Sequence, residues 1–257
     1  MLAPPHDYLD LVCFDFPNAA DYVAQHRNEL TEGVTHCPEG CLLPMSSWKN
    51  LLGFLVVFDQ NDSPLTNDFQ LVLIETLCTW QCSRGIYQFS PHLYDQLMQA
   101  PLSTRPSSDF WNLPEYGVYI VTPGLLNGFI DGFWAHLRYF PDEDSSELLI
   151  TLNTRSGPHL LRLSIGDHAI NQAVEDSDYH ALTAADDCGV AIDDGFRLCV
   201  NLVAHLCLQD TLIDDPLEPG AKPARAPERR VRGQLVLPRP DHDRHWRVGY
   251  QPSHKFH

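Results

Sequence analysis

Large aromatic side chains and acidic side chains occur together in two short segments near the middle of the chain. Residues 111–120 (WNLPEYGVYI) place a tryptophan, a glutamate and two tyrosines around a proline, and residues 129–134 (FIDGFW) place an aspartate among three rings. Aromatic rings attract Lys and Arg side chains and anchor apolar side chains at interfaces. The pattern fits a groove for a basic, partly apolar peptide. Buried aromatic residues are also typical of an ordinary hydrophobic core, so this alternative stays open.

Four of the eight cysteines form two pairs with C-x3-C spacing, Cys37 with Cys41 and Cys78 with Cys82. Residues at i and i+4 of a helix point in the same direction, so two such pairs could close a tetrahedral zinc site. The second pair, however, lies in an apolar segment, where cysteine commonly serves as a small hydrophobic residue. We therefore predict no cofactor and no metal ligand, with structural zinc as the alternative.

The usual motifs of nucleophilic and metal-dependent catalysis are missing: the sequence has no G-x-S-x-G, no phosphate-binding loop and no H-E-x-x-H. Adjacent aspartates at residues 186–187, 193–194 and 214–215 could hold Mg²⁺ for a nuclease, although such pairs more commonly cap turns. The segment 242–246 (HDRHW) could supply a histidine general acid or base. We predict no catalytic residue, with a metal-dependent ribonuclease as the alternative.

The formal net charge of −17 over 257 residues conceals a strong asymmetry. Residues 1–220 contain 8 Lys and Arg against 31 Asp and Glu, a net of −23, whereas residues 221–257 contain 9 against 3, a net of +6. The acidic part is unsuited to coating nucleic acid, because phosphate binding requires an excess of Lys and Arg. It favours a basic ligand. The alternative is an acidic surface that only keeps the protein soluble, with a basic tail folded back on it.

A proline-rich segment, Pro216–Pro227 (PLEPGAKPARAP), coincides with the change of charge. Proline lacks a backbone donor and restricts the preceding residue, so this segment cannot sustain a helix or a central strand. We predict an acidic α+β peptide-binding domain at residues 1–215 and a proline-rich linker with a basic tail at residues 216–257. Four arginines of the tail are predicted to contact RNA or the ribosome: Arg229, Arg230, Arg232 and Arg239.

These residues must be positioned by a mixture of helices and strands. Hydrophobic periodicity predicts helices at residues 19–30, 64–82, 92–98, 167–177 and 195–208, and strands at residues 86–89, 117–122, 129–140, 147–152 and 159–165. The segment 48–60 is strongly apolar and of ambiguous type. Helices that flank a mostly antiparallel sheet give the α+β class. The lack of a membrane-length apolar run and of a signal peptide predicts a cytoplasmic protein.

Several motifs along the chain resemble a known family. Residues 85–89 (GIYQF), 110–119 (FWNLPEYGVY) and 132–137 (GFWAHL) carry the similarity in the middle of the chain. Residues 198–200 (LCV), the proline-rich segment and residues 246–249 (WRVG) extend it toward the end. Over about residues 40–250 the chain resembles the phage- and plasmid-borne type V-A anti-CRISPR family that blocks biosynthesis of the effector nuclease.

The resemblance implies an unusual mechanism. Members of that family recognise the N-terminal segment of the type V-A effector nuclease while it is being made, and they lower its amount through translation-dependent loss of its mRNA. The implied partner segment is basic and amphipathic, which agrees with the acidic composition of residues 1–220.

We therefore predict a non-enzymatic, anti-CRISPR-like inhibitor that captures a nascent basic peptide in the cytoplasm of the host bacterium. The ribosome or the mRNA is a further predicted partner through the tail, and no membrane partner is predicted. The alternatives are the ribonuclease and a phage or plasmid accessory protein with another target. Six residues are predicted to form the peptide groove, as aromatic anchors and acidic charge partners: Tyr87, Trp111, Glu115, Tyr116, Asp131 and Trp134.

Overall fold

The computed structural model describes residues 68–125, 130–140, 143–154, 157–177, 192–224, 229–231, 234–236 and 240–250. The predicted helix at residues 19–30 and the apolar segment 48–60 lie outside these residues. So do the first cysteine pair, the aspartate pair 186–187, and the arginines at positions 232 and 239.

Helices and strands succeed one another along the described chain. The helices are α1 (Asp68–Gln81), α2 (Pro91–Gln99), a 3-10 helix (Ser107–Asn112), α3 (Ile170–Glu175) and α4 (Ile192–Leu206). The strands are β1 (Gly85–Phe89), β2 (Gly117–Leu125), β3 (Ile130–Phe140), β4 (Ser145–Thr154), β5 (Gly157–Ile165), β6 (Ile213–Asp214), β7 (Arg229–Val231), β8 (Gln234–Val236) and β9 (Arg244–Val248). The elements predicted within the described residues are confirmed, with bounds that differ by a few residues. Among these helices, none combines the length and the apolar character needed to cross a membrane.

Seven of the strands form one sheet in the order β5–β4–β3–β2–β1–β9–β6. Strand β1 runs parallel to its two neighbours, β2 and β9, and the remaining pairings in the sheet are antiparallel. Strands β7 and β8 form a separate two-stranded sheet. The predicted α+β class with a mostly antiparallel sheet is thus confirmed.

Helices cover both faces of the seven-stranded sheet. On one face, strand residues such as Tyr87 and Phe133 pack in a single core with Phe196 of α4. On the other face, α1 lies against β2 and β3, and the hydroxyl groups of Thr76 and Thr151 are 3.0 Å apart. Successive residues of a strand point to opposite faces, so the strands bury side chains on both sides.

Strand β9 comes from the segment that the sequence analysis assigns to the basic tail. All five of its residues pair in parallel with the five residues of β1. Trp246 and Val248 are buried, and the Trp246 ring stacks on Tyr87 with ring centroids 6.4 Å apart. Residues 244–248 therefore belong to the sheet and not to a tail outside it. Their alternation of buried and exposed side chains is typical of a half-buried strand. The domain division at residue 215 stays a prediction.

Replacing Trp246 with Phe should lower the free energy of unfolding by about 1–3 kcal/mol, because it removes part of a buried ring from the core. The matched control is His245→Ala on the same strand, where the side chain is exposed and the change should stay within about 0.5 kcal/mol. Urea unfolding followed by circular dichroism measures both. Equal stability of Trp246→Phe and the parent protein would contradict the burial of β9.

Candidate functional site

The structure distributes the six residues predicted for a peptide groove between the interior and the surface, and it joins Tyr87 and Glu115 by a hydrogen bond. Four of them are buried, each at most 2% exposed: Tyr87, Glu115, Tyr116 and Trp134. The other two, Trp111 and Asp131, are partly exposed. Tyr87 belongs to the core on the α4 side of the sheet, whereas Trp134 points to the α1 side and packs on Tyr119, with ring centroids 5.0 Å apart. The six residues do not line one groove, and their role in peptide binding stays a prediction.

Glu115 is a carboxylic acid inside the hydrophobic core. The Tyr87 hydroxyl donates a hydrogen bond to Glu115 Oε2 at 2.8 Å, and this oxygen lies directly against Gly85, where any Cβ would collide with it. Burial raises the pKa of Glu115 to about 8, although Tyr87, Arg244 and Trp246 oppose the rise. Glu115 is therefore mostly uncharged at pH 7. An external peptide is expected from the sequence to supply the cationic neighbour of Glu115, but here Arg244 of the chain's own strand β9 supplies it.

A second buried polar cluster joins α1 to the sheet. Arg138 Nε and Nη2 donate to the two carboxylate oxygens of Glu75 at 2.7 and 2.8 Å, and His136 Nε2 lies 3.0 Å from Glu75 Oε1. All three residues are at most 3% exposed. Burial by itself would raise the pKa of Glu75, but Arg138 and His136 hold it down at about 2. This cluster was not predicted from the sequence. Its only trace there is a pair of polar residues at alternate positions of an otherwise apolar strand.

An open cleft of about 1010 Å³ lies at the carboxyl ends of the parallel strands β1 and β9. Its walls come from the start of α2, the connection from α4 to β6, and the two residues that follow β9. We call it the α2–α4 cleft. Its apolar lining includes Leu93, Leu208, Leu212 and Tyr250. Clefts of this kind, apolar with a few polar groups, are the usual form of binding sites.

Hydrogen bonds hold the walls of the α2–α4 cleft in place. The Ser90 N–H donates to the carbonyl of Val248 at 2.8 Å, which fixes the start of α2 against β9. The Gly249 N–H donates to the carbonyl of Leu212 at 2.9 Å, which ties the α4–β6 connection to the end of β9. Asn201 of α4 donates to carbonyl oxygens at and after the end of α2. Asn201 thus joins the two helices beside the cleft.

Two charged side chains line the cleft, Arg105 and Asp210. Arg105 is paired with Asp109, whose Oδ2 lies 2.6 Å from Arg105 Nε. Partial burial lowers the pKa of His205, which is therefore neutral at pH 7. Asp210 is exposed on the α4–β6 connection and has no ion pair within the described part of the chain. Asp210 thus gives the lining an acidic group that can pair with a ligand cation.

Two of the candidate metal-ligand pairs lie in surroundings that are structural, Asp214 with Asp215 and Cys78 with Cys82. Asp214 and Asp215 accept hydrogen bonds from backbone N–H groups of residues 217–220 at 2.8 to 3.3 Å, so this pair caps a turn. Cys78 and Cys82 are buried, and their predicted partner cysteines lie outside the described residues. Among the described residues, no three His, Cys, Asp or Glu side chains come together as a metal site. The absence of a metal ligand stays a prediction, with structural zinc as its alternative.

The four arginines predicted to contact RNA are only partly described. Arg229 and Arg230 lie on β7, where they pair with Val236 and Leu235 of β8. The other two lie outside the described residues. Their contact with RNA or the ribosome stays a prediction.

The chain thus has an α+β fold with helices on both faces of its sheet and an open cleft at the ends of its parallel strands. The sequence matches the model of the AcrVA2-like family, the anti-CRISPR type V subtype A2 family, over residues 87–257. This match covers more than half of the chain, so the chain belongs to that family, as the sequence resemblance predicted. It is an anti-CRISPR protein directed at type V-A systems.

A solved structure agrees with the family assignment at the level of the fold. The crystal structure of AcrVA2 superimposes with a TM-score of 0.64, covering 97% of this chain and 85% of that chain at 16% sequence identity. At this identity the likeness shows a shared fold. No curated protein sequence matches the chain.

Proposed function

We propose that this protein inhibits a type V-A system without enzymatic action, by binding the N-terminal segment of the effector nuclease during translation and so causing loss of its mRNA. The observation that carries the proposal is the net charge of −23 over residues 1–220 in a member of an anti-CRISPR family. A negative field of this kind attracts a basic segment and accelerates its capture. The ligand is thus a basic peptide, available as soon as it leaves the ribosome.

The charge distribution also supports a peptide and not the message as the primary ligand. Nucleic acid is repelled by an acidic surface, and only residues 221–257 contain an excess of Lys and Arg. Part of that segment is committed to the fold, because β9 pairs with β1 and Asp243 is ion-paired with Arg84 at 3.0 Å. The arginines between residues 229 and 239 are the proposed contact with the ribosome or the RNA.

The proposal can be tested with three versions of the effector mRNA. The first is the native message. In the second, the first codons are replaced by synonymous codons, so the RNA changes and the peptide does not. In the third, the reading frame is shifted at the start and restored downstream, so the RNA is almost unchanged and the N-terminal peptide is different. In a bacterial host that expresses this protein, the first two messages should fall severalfold and the third should not, because the first two encode the same peptide. Quantitative reverse-transcription PCR measures the mRNA.

Other outcomes identify the alternatives. If the frame-shifted message falls as much as the native one, the protein reads RNA and not the peptide. Cleavage of the purified message in Mg²⁺ without ribosomes would establish the ribonuclease. If no message falls and no effector is lost, the protein has a different target.

A further inference from the structure

We propose that the α2–α4 cleft is the peptide site: it binds an apolar side chain of the ligand, while Asp210 pairs with a neighbouring Lys or Arg of the same ligand. This inference rests on the proposed function and adds the place and chemistry of binding. It moves the site away from the predicted groove residues, four of which are buried in the core. The partner is an amphipathic peptide in which a basic residue lies close to an apolar anchor.

The apolar lining of the cleft contains one conspicuously exposed residue. Leu212 is 49% exposed, and it is one of three large hydrophobic residues with high exposure in the described structure, beside Met98 at 40% and Leu217 at 89%. Of these three, Leu212 alone lines the cleft. Leu93 and Leu208, which are partly buried, line the same cleft, so an apolar side chain inserted there would be removed from water beside apolar groups.

Leu212 is held by the fold and does not lie on a loose loop. Its carbonyl accepts the Gly249 N–H at 2.9 Å, and the preceding Thr211 donates its hydroxyl to the His205 carbonyl at 2.5 Å. The Thr211 N–H also donates to the carbonyl of Leu208 at 3.2 Å. A preformed wall reduces the entropy that binding would cost, which is typical of a binding site.

Charge and size identify the class of ligand. Arg105 already has a carboxylate partner, so the acidic Asp210 is left as the charge of the lining that a ligand can meet. This charge has the same sign as the net charge of residues 1–220 and favours a cation. The volume of about 1010 Å³ lies at the upper limit for small-molecule sites and accommodates several side chains of a peptide.

The test is the binding of a synthetic, fluorescently labelled peptide with the sequence of the effector N-terminus, followed by anisotropy. Leu212→Asp should weaken binding at least tenfold, because it places a charge in the apolar part of the cleft. Asp210→Lys should weaken it severalfold through like-charge repulsion. Leu217→Asp is the matched control: it is the same change at an exposed leucine outside the cleft lining, and it should leave affinity within twofold.

The outcomes separate this inference from the function on which it rests. If the wild-type protein binds the peptide and Leu212→Asp binds equally well, the cleft is not the site, whereas the proposed function stands. Equal weakening by Leu217→Asp would also overturn the cleft assignment. If the wild-type protein does not bind the peptide, the proposed function is wrong, and so is the assignment of this peptide to the cleft. Circular dichroism checks folding, and Leu212→Ser replaces Leu212→Asp if the latter is unfolded.

Discussion

Replacing Arg138 with Met should lower the free energy of unfolding by about 3–5 kcal/mol at pH 7, because it leaves the Glu75 carboxylate inside the protein without its guanidinium partner. Glu75 and Arg138 are 0% and 3% exposed, and the substitution removes both of their N–H···O contacts of 2.7 and 2.8 Å. Methionine is unbranched and adapts to irregular space in a core, so the loss of charge and not of volume dominates. Urea unfolding at several pH values measures the effect.

The same pair determines how the loss depends on pH. The pKa of Glu75 is about 2 in the folded protein, against an ordinary value of 4.5. Ionised Glu75 therefore stabilises the wild-type protein above pH 4.5, and this stabilisation is lost as the pH falls toward 2. In Arg138→Met, burial is no longer opposed by the guanidinium, so the pKa of Glu75 rises. The carboxyl group then takes up a proton more readily, and the stability deficit of the variant should shrink as the pH is lowered from 7 toward 4.

The matched control removes an arginine from the surface of the same sheet. Arg162 lies on β5 and is exposed, so Arg162→Met should change stability by no more than about 0.5 kcal/mol. An equal loss of unfolding free energy in Arg138→Met and Arg162→Met would show that the Glu75–Arg138 pair is not a buried ion pair. A deficit at position 138 that does not vary with pH would show that Glu75 stays ionised without its partner.

Local pattern predicted the elements whose apolar residues repeat over a long stretch. Helix α1 and the strands from β2 to β5 were predicted because each has enough residues to display its periodicity. Strand β9 was missed, although Trp246 and Val248 alternate with polar residues, because five residues after a proline-rich basic segment resemble a tail. Strand β9 pairs with β1, which is far away in the sequence, and a local sequence pattern cannot predict such a pairing.

The candidate site was beyond sequence reasoning for a related reason. The α2–α4 cleft brings together Leu93, Leu212 and Tyr250, which are far apart in the chain and share no motif. The aromatic and acidic residues around position 115 did form a motif, but composition does not distinguish a core from a groove. What the sequence did reveal was the chemistry of an acid beside aromatic rings, which the structure places in the interior.

Some of the carboxyl groups counted in the net charge of residues 1–220 do not contribute negative charge at the surface of the folded protein. Glu75 and Glu115 are buried carboxyl groups that do not act as surface charges: Glu75 is neutralised by Arg138, and Glu115 is mostly protonated at pH 7. The remaining carboxylates still give this part of the chain a large negative charge. In the proposed function, a basic peptide is therefore attracted by surface groups such as Asp210, and not by the buried Glu115 of the predicted groove.

Glu115→Gln should make the protein progressively more stable than the wild type as the pH rises from about 4.5 to 8, by about 3–5 kcal/mol over that range. The folded-state pKa of Glu115, about 8, lies above the ordinary value of 4.5. Below pH 4.5 the carboxyl group is protonated in both states. Between pH 4.5 and 8 it is ionised only in the unfolded chain, so the wild-type protein loses stability while the glutamine variant does not.

The difference between the two proteins, measured by urea unfolding across this pH range, isolates the carboxyl group from every other titration. Glutamine keeps an oxygen that can accept the Tyr87 hydroxyl, now 2.8 Å from Glu115 Oε2, so the local hydrogen bond is retained. Glu175→Gln, at an exposed position of α3, is the control and should show a flat difference. A flat difference for Glu115→Gln as well would mean that Glu115 ionises inside the fold. The positive charge of Arg244, which strand β9 brings near it, would then outweigh the cost of its burial.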